Sequence, residues 1–327
     1  MNKVMLANID YLSHMTSEGN ELQQGLKEAG WTLTGKGFDD LQDCRQIVDK
    51  YEPDIVVVHD RRDWDERLMG SFRRDIAFNH LEALHQVPVR IAVVKDAGSM
   101  VQYHKFFAEE IKATALLTYY HERSINMQAP WMGDYPQIRT YHSVDAQLIK
   151  NMSVCYTPES RRRGIVTGAL SQIYPLRWEI QKHCNYLNIH DLPHPGYHNR
   201  GHHTQMYLGT LASYKVHIAT ASLYHFALRK IIESVAMGCI PVTNLPNYDE
   251  LPEIDGALLR VNDWVNMQDL RSVIDMAEEM WNLGPEEKRR FWVDRCLNFY
   301  DFRALGKRLN WEIEAHPTNM VGGRICV

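Results

Sequence analysis

The sequence predicts an α/β protein made of two Rossmann-like, doubly wound domains. Three observations carry that expectation. Short apolar runs alternate with amphipathic segments along the chain, the pattern of parallel strands joined by crossover helices. The run Asp54-Ile-Val-Val-Val58 is β-branched and continuous, as a strand buried on both faces requires. At 327 residues the chain is long for a single core, and the alternation lapses at 145–160, where Pro158 interrupts it. The expected division is a first domain over 1–150, a second over 151–300, and a helix over 301–327 able to cross back onto the first.

In order, the first half offers strands at Val4–Ala7, Trp31–Thr34, Asp54–Val58, Val89–Val94 and Ala113–Tyr119. Between them lie helical segments at Glu21–Ala29, with Leu22 and Leu26 four apart and Gly30 as a stop, at Asp40–Tyr51, and at Glu82–Gln86. The second half offers strands at Gly164–Leu170, Tyr186–Ile189, Lys215–Ala219, Cys239–Thr243 and Ala257–Val261. Its helices are Leu176–Cys184, behind Pro175, then Leu228–Met237, and the long amphipathic Met267–Leu283, Pro285–Leu297 and Phe302–Glu314. In such sheets ligands sit at the carboxyl ends of the strands.

A hydrophobic content of 45% and charged content of 24% are those of an ordinary globular chain. A net charge of -5 argues against bulk coating of nucleic acid but leaves room for a local basic groove. Cys44, Cys155, Cys184, Cys239, Cys296 and Cys326 are scattered without a C-x-x-C, which reads as reduced thiols in the cytoplasm. No apolar run is long enough to span a bilayer, and the N-terminus lacks the pattern of a signal peptide.

The most informative stretch is Phe226–Thr243. Its helix is apolar nearly all round except for Arg229, Lys230 and Glu233, and Gly238 can take the left-handed conformation that ends it. A helix start binds anions through its outward-pointing amides, and a carboxylate one turn in can accept from a sugar diol. Together they describe a nucleotide-diphosphate pocket.

Four segments resemble the two-Rossmann-domain nucleotide-sugar glycosyltransferases called GT-B, in the branch of CgeB-like proteins and several phage enzymes. They are Thr167-Gly-Ala-Leu-Ser-Gln-Ile-Tyr-Pro-Leu-Arg177, Tyr214–Tyr224, Arg229–Val242 and Asp249-Glu-Leu. The first half fits by architecture and by Gly19–Gly30. The resemblance implies a cleft between the domains, with the donor on the second and the acceptor on the first. It implies a nucleoside-diphosphate sugar as donor and no further cofactor. Glu233 matches the ribose-binding glutamate, whereas a second glutamate, eight residues earlier in retaining members, falls on His225. The phosphates would lie over the amides near Ala227 and Leu228. Lys230, Arg229 or Arg177, the last just after Tyr174-Pro175, would neutralise them in place of a divalent metal. The loop 190–197 would flank the base.

Catalytic candidates are Asp96 and His59, each at a strand end; the competing role for each is to cap the next helix. The resemblance leans toward retention of configuration, in which the donor phosphate itself serves as base. Asp63-Trp-Asp65 has the form of a metal motif but sits among arginines that would pair with it. His194, His198, His202 and His203 lack the company of a zinc site. Arg61, Arg62, Arg73 and Arg74 with Trp64 supply the cations and ring needed to track a phosphate backbone and stack on an extruded base. Some phage relatives by resemblance glycosylate hydroxymethylated pyrimidines in DNA. Small molecules, proteins and cell-surface polymers stay open as acceptors, as do an epimerase and an inert binding module.

Overall fold

A computed structural model describes residues 1–7, 17–35, 37–59, 78–94, 101–152, 154–168, 172–193 and 203–315. The chain divides into two compact units, Met1–Tyr141 with Phe302–Val327, and His142–Asp301.

The first unit holds a six-stranded sheet in the order β2-β1-β3-β4-β5-β6. The strands are β1 (Lys3–Leu6), β2 (Thr32–Thr34), β3 (Ile55–Val58), β4 (Val89–Val94), β5 (Ala115–Thr118) and β6 (Gln137–Arg139), all parallel. Ile55–Val58 is buried at every position, as its unbroken β-branched run requires. The strand β6 escapes the sequence pattern because three residues at a sheet edge need no apolar run. The helix Phe302–Ala315 packs on Ser17–Glu28, where a methyl at Gly25 or Gly306 would strike the other helix's backbone. Lys3 Nζ fastens that helix through Glu314 Oε1 at 2.6 Å and Asn310 Oδ1 at 2.7 Å.

The second unit holds a five-stranded parallel sheet in the order β11-β10-β9-β7-β8. Its strands are β7 (Arg162–Gly168), β8 (His190–Pro193), β9 (Tyr214–Ile218), β10 (Ile240–Thr243) and β11 (Leu259–Arg260). Val166, Ile180, Val216, Ile218, Val242 and Ile274 form the centre of its core. Trp281 is fully buried behind the sheet, its Nε1 donating to Gly238 O at 2.9 Å. Gly238 ends the central helix at φ +73°, the conformation that favours glycine.

One expected element is misplaced. Tyr186–Ile189, read as a strand, begins in the helical turn Cys184–Leu187, closed by Asn188 at φ +53°, and the strand follows at His190–Pro193. Leu187 and Ile189 are apolar because they enter the core from that turn. The true strand is an edge strand, mostly exposed, so it carries polar residues.

Candidate functional site

From β7 the chain goes to β8 on one side of the sheet, and the later strands build outward from β9 on the other. The crevice at the carboxyl ends of β7 and β9 is therefore a topological switch point, where open α/β sheets bind ligands. Arg177, Lys230, Thr167 and Thr220 gather there.

Arg177 enters from the helix Pro175–Lys182, which starts with proline, a residue suited to the first helical position. Its guanidinium is buried. Nε donates to Thr220 Oγ1 at 3.1 Å and Nη2 to Thr220 O at 3.2 Å, while Cζ lies 3.9 Å from the centre of the Tyr174 ring. Lys230 comes from the first turn of the helix Arg229–Ala236, and its Nζ donates to Thr167 O at 3.3 Å. The two cations meet over Gly168, the last residue of β7. A Cβ there would lie 2.5 Å from Lys230 Nζ and 2.6 Å from Arg177 Nη1, and the backbone stands at φ +123°. Glycine thus leaves the space that the two cations face.

Two adjacent cations raise each other's electrostatic cost. Desolvation, with Arg177 adding to it and Glu233 opposing, brings the Lys230 ammonium down to about 7. No side chain caps the helix that carries Lys230, whose N-cap is Leu228, so its positive dipole end adds to the same field. Such an arrangement can receive an anion.

Glu233, one turn into the helix, is buried and accepts from Arg229 Nε at 2.8 Å. Arg229 thus has a defined partner, and the pair orients the carboxylate. His225 takes φ +56° in the loop before the helix. Its Nε2 lies 2.9 Å from Asp263 Oδ2, and Asn244 braces Asp263 Oδ1 at 2.5 Å while accepting Ala221 N at 2.7 Å. His225 is thus held by a carboxylate. Sequence reasoning missed Asp263, 38 positions from His225, because nothing local links the two. Gly168 lies within Thr167–Arg177, and its backbone angle and the two cations around it reveal its importance.

His59 is buried at the end of β3, its amide donating to Leu6 O at 3.2 Å. Asp96, Arg61, Arg62, Trp64, Arg73 and Arg74 lie outside the described residues, as do Asp63, Asp65, His194, His198 and His202. Among the described residues no group of three or more His, Cys, Asp or Glu is placed to hold a metal ion, and no helix is long and apolar enough to cross a membrane. A surface hollow of about 570 Å³ lies at the amino ends of β7 and β9, lined by Arg162, Met206 and Tyr214 among others, at the opposite end of the sheet from the cations.

The fold is that of GT-B glycosyltransferases. The chain is similar to a glycosyltransferase from Rickettsia africae, at 14% identity and TM-score 0.51, over 98% of this chain and 99% of that one. It is similar to sucrose-phosphate synthase from Thermosynechococcus elongatus, at 10% identity and TM-score 0.55, over 98% and 100%. It is also similar to an alpha-glucosyltransferase in complex with UDP-glucose and DNA containing an abasic site, at 10% identity and TM-score 0.52, over 98% of each chain. No family model matches the chain, and no curated protein does.

Proposed function

We propose that the protein is a glycosyltransferase that moves a sugar from a nucleoside-diphosphate sugar to an acceptor hydroxyl. The observation that carries this is the convergence of Lys230 and Arg177 over Gly168, at the switch point and beside an uncapped helix start. In the reaction the bond between the sugar's anomeric carbon and the β-phosphate oxygen breaks, and a bond to the acceptor oxygen forms. Negative charge grows on the departing diphosphate. Lys230, Arg177 and the helix dipole stabilise that charge without needing to reorganise. Glu233, oriented by Arg229, accepts from the ribose hydroxyls. Retention of configuration, with a donor phosphate oxygen taking the acceptor's proton, is supported by the resemblance of Arg229–Val242 to retaining enzymes; the His225–Asp263 pair is where this chain departs from them.

The first acceptor to test is duplex DNA with hydroxymethylated pyrimidines. Arg61, Arg62, Arg73, Arg74 and Trp64 support it by sequence, and one solved protein of the same fold is bound to UDP-glucose and DNA. A small molecule, a protein or a cell-surface polymer is the competing outcome of the same screen.

A thermal-shift panel of nucleoside diphosphates tests the donor site. Stabilisation by at least one, lost in Lys230→Met and in Arg177→Met, is expected; a charge-assisted bond is worth about 1.5–3 kcal/mol, so each change weakens binding about 10- to 100-fold. No shift with any member of the panel, or shifts unchanged in both variants, would defeat the proposal. Labelled nucleotide sugars offered with modified DNA and small acceptors, read by mass, then identify the acceptor.

A further inference from the structure

We infer that His217 is a positioning residue for the anion cradle, a buried imidazole that ties the carboxyl end of β7 to the first turn of the Arg229–Ala236 helix. The inference rests on reading that cradle as the diphosphate site. His217 has no exposed surface. Its Nε2 lies 2.9 Å from Thr167 Oγ1 and its Nδ1 2.5 Å from Ser234 Oγ.

The sense of these bonds follows from proton counting. Ser234 Oγ donates to Lys230 O at 2.5 Å, and a hydroxyl has one proton. Ser234 therefore accepts from His217, so Nδ1 carries the imidazole proton. Nε2 then accepts, and Thr167 donates to it. The Tyr207 hydroxyl, 3.3 Å from Thr167 Oγ1, donates into the start of the chain. The bonds run one way, from Tyr207 through Thr167, His217 and Ser234 to the Lys230 carbonyl, and aligned bonds of this kind reinforce one another. The scheme requires a neutral imidazole. Burial, followed by the charges of Lys230 and Arg177, holds His217 well below its ordinary value.

Lys230 is therefore held at two points. Ser234 fixes its carbonyl, and Thr167, whose hydroxyl is bound to His217, receives its ammonium through the carbonyl oxygen. The same strand and the residues just past it also direct the second cation, since Thr220 takes two bonds from Arg177. A buried strand position between Val216 and Ile218 would ordinarily be aliphatic. The histidine is the exception, and its two partners belong to the elements that carry Thr167 and Lys230.

The test is calorimetry on the full chain with inorganic pyrophosphate, with the best-binding nucleoside diphosphate of the panel, and with its parent nucleoside. The variants are His217→Leu, His217→Asn, Ser234→Ala, and the Leu and Ala changes together, with melting temperature followed in each. His217→Leu and Ser234→Ala should each weaken pyrophosphate and the diphosphate about tenfold and leave the nucleoside unchanged. The double variant should be no weaker than the singles, because both remove one connection. His217→Asn, whose amide reaches the Nδ1 position, should keep most of the affinity. Equal losses for nucleoside and diphosphate, additive losses, or unchanged pyrophosphate affinity in a folded His217→Leu would overturn the inference. If His217→Leu does not fold, Ser234→Ala and His217→Asn decide it by the same criteria. Wild-type protein that binds pyrophosphate but no nucleoside diphosphate defeats the nucleotide reading alone, and the pyrophosphate comparison still judges His217. Wild-type protein that binds neither defeats both.

Discussion

The two units use the same device, and their described residues fill it differently. Each is a parallel sheet whose order reverses near its centre, between β1 and β3 in the first and between β7 and β9 in the second. At the first reversal the described strand ends are apolar apart from His59, with Leu6, Ala7 and Val58 fully buried. At the second reversal a lysine, two arginines, a glutamate and a histidine are packed together at low exposure. Buried charge is costly unless it is matched. The cations at the second crevice can receive an anion, a chemistry that the topology alone does not assign.

Beyond the Lys230 and Arg177 variants, the largest expected effect that sharpens this contrast is at Glu233. Glu233→Gln should lower affinity for a ribonucleoside diphosphate about tenfold and remove the preference for it over the 2′-deoxy form, since a charged acceptor of a hydrogen bond is worth about 1.5–3 kcal/mol. Calorimetry with both nucleotides reads this, and a preserved preference would mean that the ribose is recognised elsewhere. The change also removes the charge opposite the buried Arg229, so the melting temperature should fall as well.

Next is a proton. Lys230 sits at about 7 in the unliganded protein, below its value of 10.5 in an unfolded chain. The unfolded chain therefore holds more protons between those values, and the stability of the unliganded protein should rise with pH across that window. A bound diphosphate favours the ammonium and raises its pKa again. At pH 8 binding should therefore take up a fraction of a proton, approaching one, measured from binding enthalpies in buffers of different ionisation heat. The uptake should vanish in Lys230→Met. Binding without proton exchange in the wild type would show that Lys230 does not face the anion.

The smallest effect on binding is expected from the first unit. Gly306→Ala forces the terminal helix off the Ser17–Glu28 helix, because a methyl there meets the Gly25 backbone. The melting temperature should drop, and overpacking of this kind costs about 1–3 kcal/mol. Nucleotide affinity measured below the transition should not change. A parallel loss of affinity would break the contrast between the units.

Much of this was legible in the chain. Strand β3 was readable because burial on both faces demands an unbroken β-branched run, and Gly238 because a helix must end where only glycine is comfortable. Glu233 and Lys230 stood out as charges in an apolar helix. The edge strand at His190–Pro193 was missed because edges obey no such demand, and the apolar Leu187 and Ile189 before it imitated a strand from inside a helical turn.

What the sequence determined by itself was therefore the local and periodic part: the alternation, the buried strands, and the charges that do not fit their surroundings. What only the tertiary structure decided was how those charges pair. Arg177 and Lys230 are 53 positions apart and meet because parallel crossovers return each helix to the same sheet edge. Asp263 reaches His225, and His217 joins Thr167 to Ser234, for the same reason. Side-chain bonds across a sheet depend on strand order, and strand order is set by the packing of the whole unit, so no window of sequence records them.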